Sequence, residues 1–146
     1  MDYQTSFLTS NDRRNSFDAI TKGIDKWWGK VDNSVGKLGD EFSIFFGNTE
    51  WRFKITQYLP YEKVKWKCIK ANHVHDGLQN IQEEWLHTEV EWDIKQAEEK
   101  TKITITHNGL NNQLNCYEVC KSGWDYFLLS SLKDYLEMGK GTPHSE

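Results

Sequence analysis

From residue 42 to residue 107 apolar and polar side chains alternate with a period of two. Phe42, Ile44 and Phe46 interleave with Glu41, Ser43 and Phe45, and Gly47-Asn48 follows as a turn. Trp51, Phe53 and Ile55 interleave with Arg52, Lys54 and Thr56, and Pro60 closes that run. Val64, Trp66 and Cys68 alternate with Lys63, Lys65 and Lys67; Val90, Trp92 and Ile94 with Glu89, Glu91 and Asp93. Ile103, Ile105 and His107 alternate with Lys102, Thr104 and Thr106, ending at Asn108-Gly109. A period of two places one set on one face of a strand, so these segments predict an antiparallel sheet with one wet face and one covered face. Residues 3–8 predict a further short strand.

The period changes at both ends. Ser10-Asn11-Asp12 offers N-caps for a helix through Ile20, with Phe17, Ile20 and Ile24 at helical spacing. A second short turn from Ile24 to Trp28 ends at Gly29, giving a helix pair packed by Trp27 or Trp28. From about Cys116 to Met138, Tyr117, Cys120, Trp124, Phe127, Leu128, Leu132, Tyr135 and Leu136 follow 3–4 spacing. Gly139 stands where a C-cap glycine belongs, with Pro143 shortly after. Such a helix is roughly 35 Å long at about 1.5 Å per residue, enough to cross a whole sheet. A twisted sheet curls away from a straight rod, and the space left between them predicts a pocket.

Composition sharpens this picture. The hydrophobic fraction is only 37%, yet seven Trp, seven Phe and six Tyr make up 14% of the chain, so aromatic rings supply much of the buried area. At 146 residues with two prolines and no linker-like stretch, one domain spanning 1–146 is the simplest account. The net charge of −4 and the lack of a Lys/Arg stripe exclude the footprint of a nucleic-acid binder. No apolar run approaches the ~20 residues that span a bilayer, and the N-terminus shows no secretory pattern. Three cysteines, an odd number, give no disulfide framework, so reduced thiols in a cytoplasmic protein are expected.

The order of elements, and particular residues within them, resemble a known family. Trp27-Trp28 follows the first helix; Gly39-Asp40-Glu41-Phe42 opens a strand. Tyr58-Leu59-Pro60-Tyr61-Glu62-Lys63-Val64-Lys65-Trp66 carries a Pro-x-Glu/Lys-x-Val/Leu-x-Trp stretch. Glu84-Trp85, Thr106-His107-Asn108-Gly109-Leu110 and the Gly123-Trp124 pair of the last helix complete the set. Together these residues resemble the START-like superfamily (SRPBCC, of polyketide cyclases and birch-pollen-allergen-like proteins). Within it they are most similar to the branch named for the activator of the heat-shock-protein-90 ATPase. The resemblance implies an α+β helix-grip fold, a curved sheet of six or seven antiparallel strands wrapped around the C-terminal helix, with a hydrophobic cavity between them. It carries no catalytic set, because members bind lipids, cyclise polyketides, sense hormones or serve chaperones.

Candidate chemistry is sparse. Trp51, Trp66 and Trp92 share the inward parity and predict cavity walls, with Trp124, Tyr117, Cys120 and His107 completing the expected ligand-binding set. His107 could hydrogen-bond a ligand or serve as an acid or base; the plainer reading is a histidine capping the Asn108-Gly109 turn. Cys116 and Cys120 lie four apart on one helical face and could present thiols to the cavity, but no ligand at the next helical turn completes a metal set. His73-Val74-His75-Asp76 reads as a solvated loop, with His87 the nearest candidate for a second contribution. The long connection from Ala71 to Trp85 is either a binding loop or an irregular helix packed by Trp85. Nucleophilic triads, phosphate loops and zinc helix motifs are unmatched, so neither a cofactor nor a metal is expected. Three functions follow: a non-catalytic carrier or sensor for a hydrophobic or aromatic small molecule; a cyclase-like or hydrolytic enzyme using the same pocket; and a protein-interaction module. The extra N-terminal domain of full co-chaperones has no counterpart here, which counts against the third.

Overall fold

The computed structural model describes residues 1–145. In chain order the elements are β1 (Tyr3–Thr9), α1 (Arg13–Ala19), a 3-10 turn (Ile24–Lys26), β2 (Lys30–Val31), β3 (Glu41–Phe46), β4 (Thr49–Leu59), β5 (Lys63–Asn72), β6 (Glu89–Ala97) and β7 (Lys100–Asn108). The terminal helix then runs as α2 (Tyr117–Tyr126), a π-helical stretch (Phe127–Leu132) and α3 (Lys133–Met138), ending on Gly139 at φ 81°. The strands form one antiparallel sheet in the order β1-β7-β6-β5-β4-β3-β2. Seven strands and one long helix are the helix-grip architecture expected from the pattern.

The alternation predicts the buried face. Trp51, Phe53 and Ile55 are buried, as are Val64, Trp66 and Cys68, Val90, Trp92 and Ile94, and Ile103, Ile105 and His107. On the other face Lys63 and Lys65 of β5 meet Glu91 of β6, with Lys63 Nζ 2.5 Å from the Glu91 carboxylate. Asp12 caps α1 by accepting from the Asn15 amide at 2.7 Å.

Two register irregularities between β4 and β5, at Arg52/Phe53 and Ile55/Gln57, mark bulges that bend the sheet. The π-helical stretch buries Leu128, Ser131 and Leu132. Ser131 Oγ donates to the Trp27 carbonyl (2.6 Å) and accepts from the Thr142 amide (2.8 Å), so one hydroxyl ties helix, N-terminal turn and C-terminal tail together. The strand β2 is too short to carry a period and was not foreseen. Among the described residues no helix is long and apolar enough to cross a membrane.

Candidate functional site

All seven tryptophans are buried, and five of them form one row of near-parallel rings. Trp51 stacks on Trp85 at 3.9 Å and 14°, Trp85 on Trp124 at 6.0 Å and 10°. Trp124 stacks on Trp28 at 4.8 Å and 23°, and Trp28 on Trp27 at 5.9 Å and 12°. The row crosses the molecule from β4 through the 73–88 connection and α2 to the N-terminal turn. Offset stacking of this kind adds about 0.5–1.5 kcal/mol per pair beyond the area buried.

Beside the row lies a cleft of about 270 Å³, between the sheet and the terminal helix. Its walls are Trp28, Phe46, Trp51, Trp85, Trp124 and Phe127; Thr49, His73, Val74, His75, Val119, Cys120 and Gly123 complete the lining. It opens to solvent past Val74 and His75, which are exposed. Among the described residues no Lys, Arg, Asp or Glu lines it. A larger groove of about 680 Å³ runs between α1 and α3, but Asn11, Asn15, Asp18, Lys22 and Lys26 line it, and it lacks a stacking wall.

Of the seven residues expected at the pocket, Trp51, Cys120 and Trp124 line the cleft. Trp66, Trp92 and His107 are fully buried in solid core. Tyr117, half-buried at the start of α2, lies outside the lining. Parity places a side chain on the covered face, but it does not say how far along the helix the sheet has parted from it. Of the walls not expected, Trp28 and Trp85 come from a turn and a loop, where no period operates, while Phe46 and Phe127 follow the strand and helix periods, which mark them as covered without marking them as cleft.

The ring of His107 is a core hydrogen-bond relay. Trp124 Nε1 donates to His107 Nδ1 at 3.1 Å, which leaves the proton on Nε2. That proton faces Thr88 Oγ1 at 2.9 Å, and the Thr88 hydroxyl donates in turn to the Trp85 carbonyl at 2.6 Å. Burial pushes the imidazole down to about 3 and keeps it neutral. Both ring nitrogens are satisfied, so this histidine fixes Trp124 and Trp85 behind the cleft; the turn itself is closed by backbone, Leu110 N–H donating to the His107 carbonyl.

The 73–88 connection shapes the open end. Thr49 Oγ1 donates to the Val74 carbonyl (3.0 Å) and accepts from its amide (2.9 Å), while the His73 amide donates to the Gln82 carbonyl at 3.0 Å. Ile81 and Trp85 anchor the segment in the core. Trp85 Nε1 donates to Cys120 Sγ at 3.3 Å. The loop is thus both packed by Trp85 and part of the cleft.

The loop also joins two motifs that stand 43 residues apart in the chain. His73, Cys116 and Cys120 are all buried, and their potential ligand atoms lie within 4.8 Å of one another. Cys116 is the N-cap of α2, and its amide donates to Glu84 Oε1 at 2.9 Å. The neighbouring Cys120 thiol favours the Cys116 thiolate and lowers its pKa against burial, with His73 assisting. The same pairing, followed by burial, raises Cys120. His87 is exposed and takes no part. The third member comes from the start of the β5–β6 connection, so spacing along the helix could not reveal it.

A family model described as "Activator of Hsp90 ATPase homolog 1-like protein" matches residues 12–137. No curated protein sequence matches the chain. Among solved structures, the Aha1 dimer from Colwellia psychrerythraea is 26% identical, with TM-score 0.78, over 97% of this chain and 99% of that one. DynU16, a protein of the dynemicin biosynthetic locus, is 17% identical with TM-score 0.72, over 94% of this chain and 48% of its own. Protein SSP2350 from Staphylococcus saprophyticus is 18% identical with TM-score 0.70, over 97% and 96%. The last two likenesses concern the fold.

Proposed function

The chain belongs to the activator of Hsp90 ATPase homolog 1-like family, and from the cleft that its helix-grip fold carries we propose that it binds a small, neutral aromatic or hydrophobic molecule without transforming it. One observation carries this reading: a cleft walled by four indoles and two phenyl rings, with no fixed charge in its lining. Its volume of about 270 Å³ sits just under the usual small-ligand range of about 300–1,000 Å³, which favours a flat molecule of one or two rings. Flat rings suit walls already stacked in parallel, and Thr49, His73 and His75 supply polar groups to the lining. Catalysis finds less support, because His107, a candidate acid or base, is walled off and holds its proton in a satisfied relay.

Calorimetry with 2-naphthol and 2-naphthoate, in the presence of a chelator, tests the proposal. An anion in this cleft has no Lys or Arg to pair with and must shed water, at a cost of several kcal/mol. The neutral probe should therefore bind about 10-fold or more tightly, and Trp51→Leu should weaken it. Equal or inverted affinities, or indifference to Trp51→Leu, would remove the reading.

A protein-interaction function has one supporting observation, the likeness over nearly the whole chain to a bacterial Aha1 that is a dimer. Sedimentation that finds only monomer at high concentration would leave it without support.

A further inference from the structure

We propose that His73, Cys116 and Cys120 form a binding site for a borderline-soft divalent cation of the zinc type, at the inner end of the cleft. The proposal is independent of the aromatic-ligand reading.

Three observations converge. First, one imidazole and two thiols, brought from the end of β5 and the first turn of α2, have their ligand atoms within 4.8 Å of one another. Ligand atoms around a tetrahedral zinc ion, bonded at about 2.3 Å to sulfur and 2.0–2.1 Å to nitrogen, stand roughly 3.5–3.8 Å apart. The observed spacing needs about 1.0–1.3 Å of closure at most, which side-chain rotation supplies. Second, His73 is 7% exposed, and its Nδ1 is buried with no hydrogen-bond partner among the described residues. A buried nitrogen left unpaired costs about 1–3 kcal/mol, and a metal ion bound through Nδ1 would relieve it. Third, the surroundings suit a bound thiolate. Trp85 Nε1 already donates to Cys120 Sγ, and the Glu84 carboxylate holds the backbone at Asn115 and Cys116 by accepting both amides. Supporting contacts of this kind orient ligands and tune affinity at metal sites.

Charge favours a divalent ion over a monovalent one. Two thiolates, a neutral imidazole and a 2+ ion sum to zero, whereas a 1+ ion would leave a net negative charge in a site without a nearby Lys or Arg on the cleft wall. On binding, the thiol protons still held leave to solvent as the two metal–sulfur bonds form, and nothing is oxidised or reduced. His73 and Cys120 both line the cleft. A three-ligand ion there keeps its fourth position toward the cleft, available to water or to a soft or nitrogenous donor on a small molecule.

The test uses the full chain, reduced and stripped with a chelator, its free thiols counted before titration. Cobalt(II) should bind one to one, give a near-ultraviolet thiolate-to-cobalt charge-transfer band, and be displaced by zinc(II). Between one and two protons should be released per ion in weakly buffered solution, because the Cys116 thiolate is already favoured before the ion binds. Cys120→Ser and His73→Gln should each weaken zinc binding by on the order of 100-fold or more, taking ligand loss as at least as costly as loss of a supporting contact. Cys68→Ser, which removes a buried thiol outside the cluster, should bind as the parent does. Absence of the charge-transfer band from folded, fully reduced parent protein would overturn the proposal, whether or not the variants fold. Undiminished binding by folded His73→Gln would overturn the three-residue site.

Discussion

His107 shows how one buried side chain can set the acid response of a whole domain. Its ordinary value is 6.5, and burial brings it to about 3 in the folded protein. Between those limits the unfolded chain takes up a proton that the folded one refuses, so stability falls as pH falls. The loss contributed by this residue approaches about 1.4 kcal/mol per pH unit. Glu50, Glu91, Glu137 and Asp2 are lowered by hydrogen bonds to Ser43, Lys63, Ser10 and Asn111 respectively, so their stabilisation is lost from the usual carboxylate range downward, below about pH 5. The Cys116 thiol, lowered to about 6, also titrates near this range, so urea unfolding between pH 6.5 and 5 with Cys116→Ser in both parent and variant isolates the histidine. His107→Gln should be less stable at pH 7 yet nearly flat over that window; a slope equal to the parent's would mean that another group carries the acid response. The relay behind His107 depends on a second residue. Gly109 sits at φ +102°, and a Cβ added there would stand 2.7 Å from Thr88 Cγ2. Gly109→Ala should cost about 2–4 kcal/mol, from strain and displacement of Thr88 together. A loss below about 1 kcal/mol in denaturant titration would show that the turn and Thr88 yield freely.

At the scale of elements, what could be read in advance divides by periodicity. Strands β3 to β7 and the terminal helix were legible because each has a long run with one covered face: Trp51 to Ile55 and Cys120 to Leu136 declare their inward sides. The cleft was legible only in outline. Trp51, Cys120 and Trp124 were reached through parity and helical spacing, but Trp85 and His73 belong to the 73–88 connection, which has no period, and their roles come from tertiary contacts. Trp85 is the hinge of that connection: it stacks on Trp51, packs edge-on to His107 at 4.5 Å and donates to Cys120. Trp85→Ala should destabilise the protein by about 3–5 kcal/mol. Amides from His73 to His87 should then exchange faster than those of β6 and β7, because the segment loses its main anchor while the ladder behind it keeps its hydrogen bonds. Trp85→Phe keeps a stacking ring and loses one donor, so a cost of about 1 kcal/mol is expected. If the two variants were equally unstable, the indole N–H rather than the stack would be holding the loop.

The molecule as a whole is held by contacts that link its two ends. Tyr3 of β1 donates to Asp125 of α2 at 2.6 Å, and burial with that carboxylate raises its phenol well above the usual range. Strand β1 pairs with β7 over its full length, and Trp28 reaches Trp124 and Trp66 from the N-terminal turn. The His144 amide donates to the Trp28 carbonyl, and Ser131 bonds the Trp27 carbonyl. Neither terminal region can leave without breaking the tryptophan row, so we propose that the chain unfolds as one cooperative unit. Two probes should then report one transition. Tryptophan fluorescence reads the row, far-ultraviolet circular dichroism reads the sheet and helix, and their urea midpoints should coincide. The same holds for a variant chosen to loosen one end. Ser131→Ala removes two hydrogen bonds from the buried hydroxyl and strands the Trp27 carbonyl, at a cost of about 1–3 kcal/mol. It should move both midpoints down together without separating them. A fluorescence transition that ran ahead of the dichroism, in the parent or in Ser131→Ala, would mean that the helix and N-terminal turn leave the sheet as a separate unit.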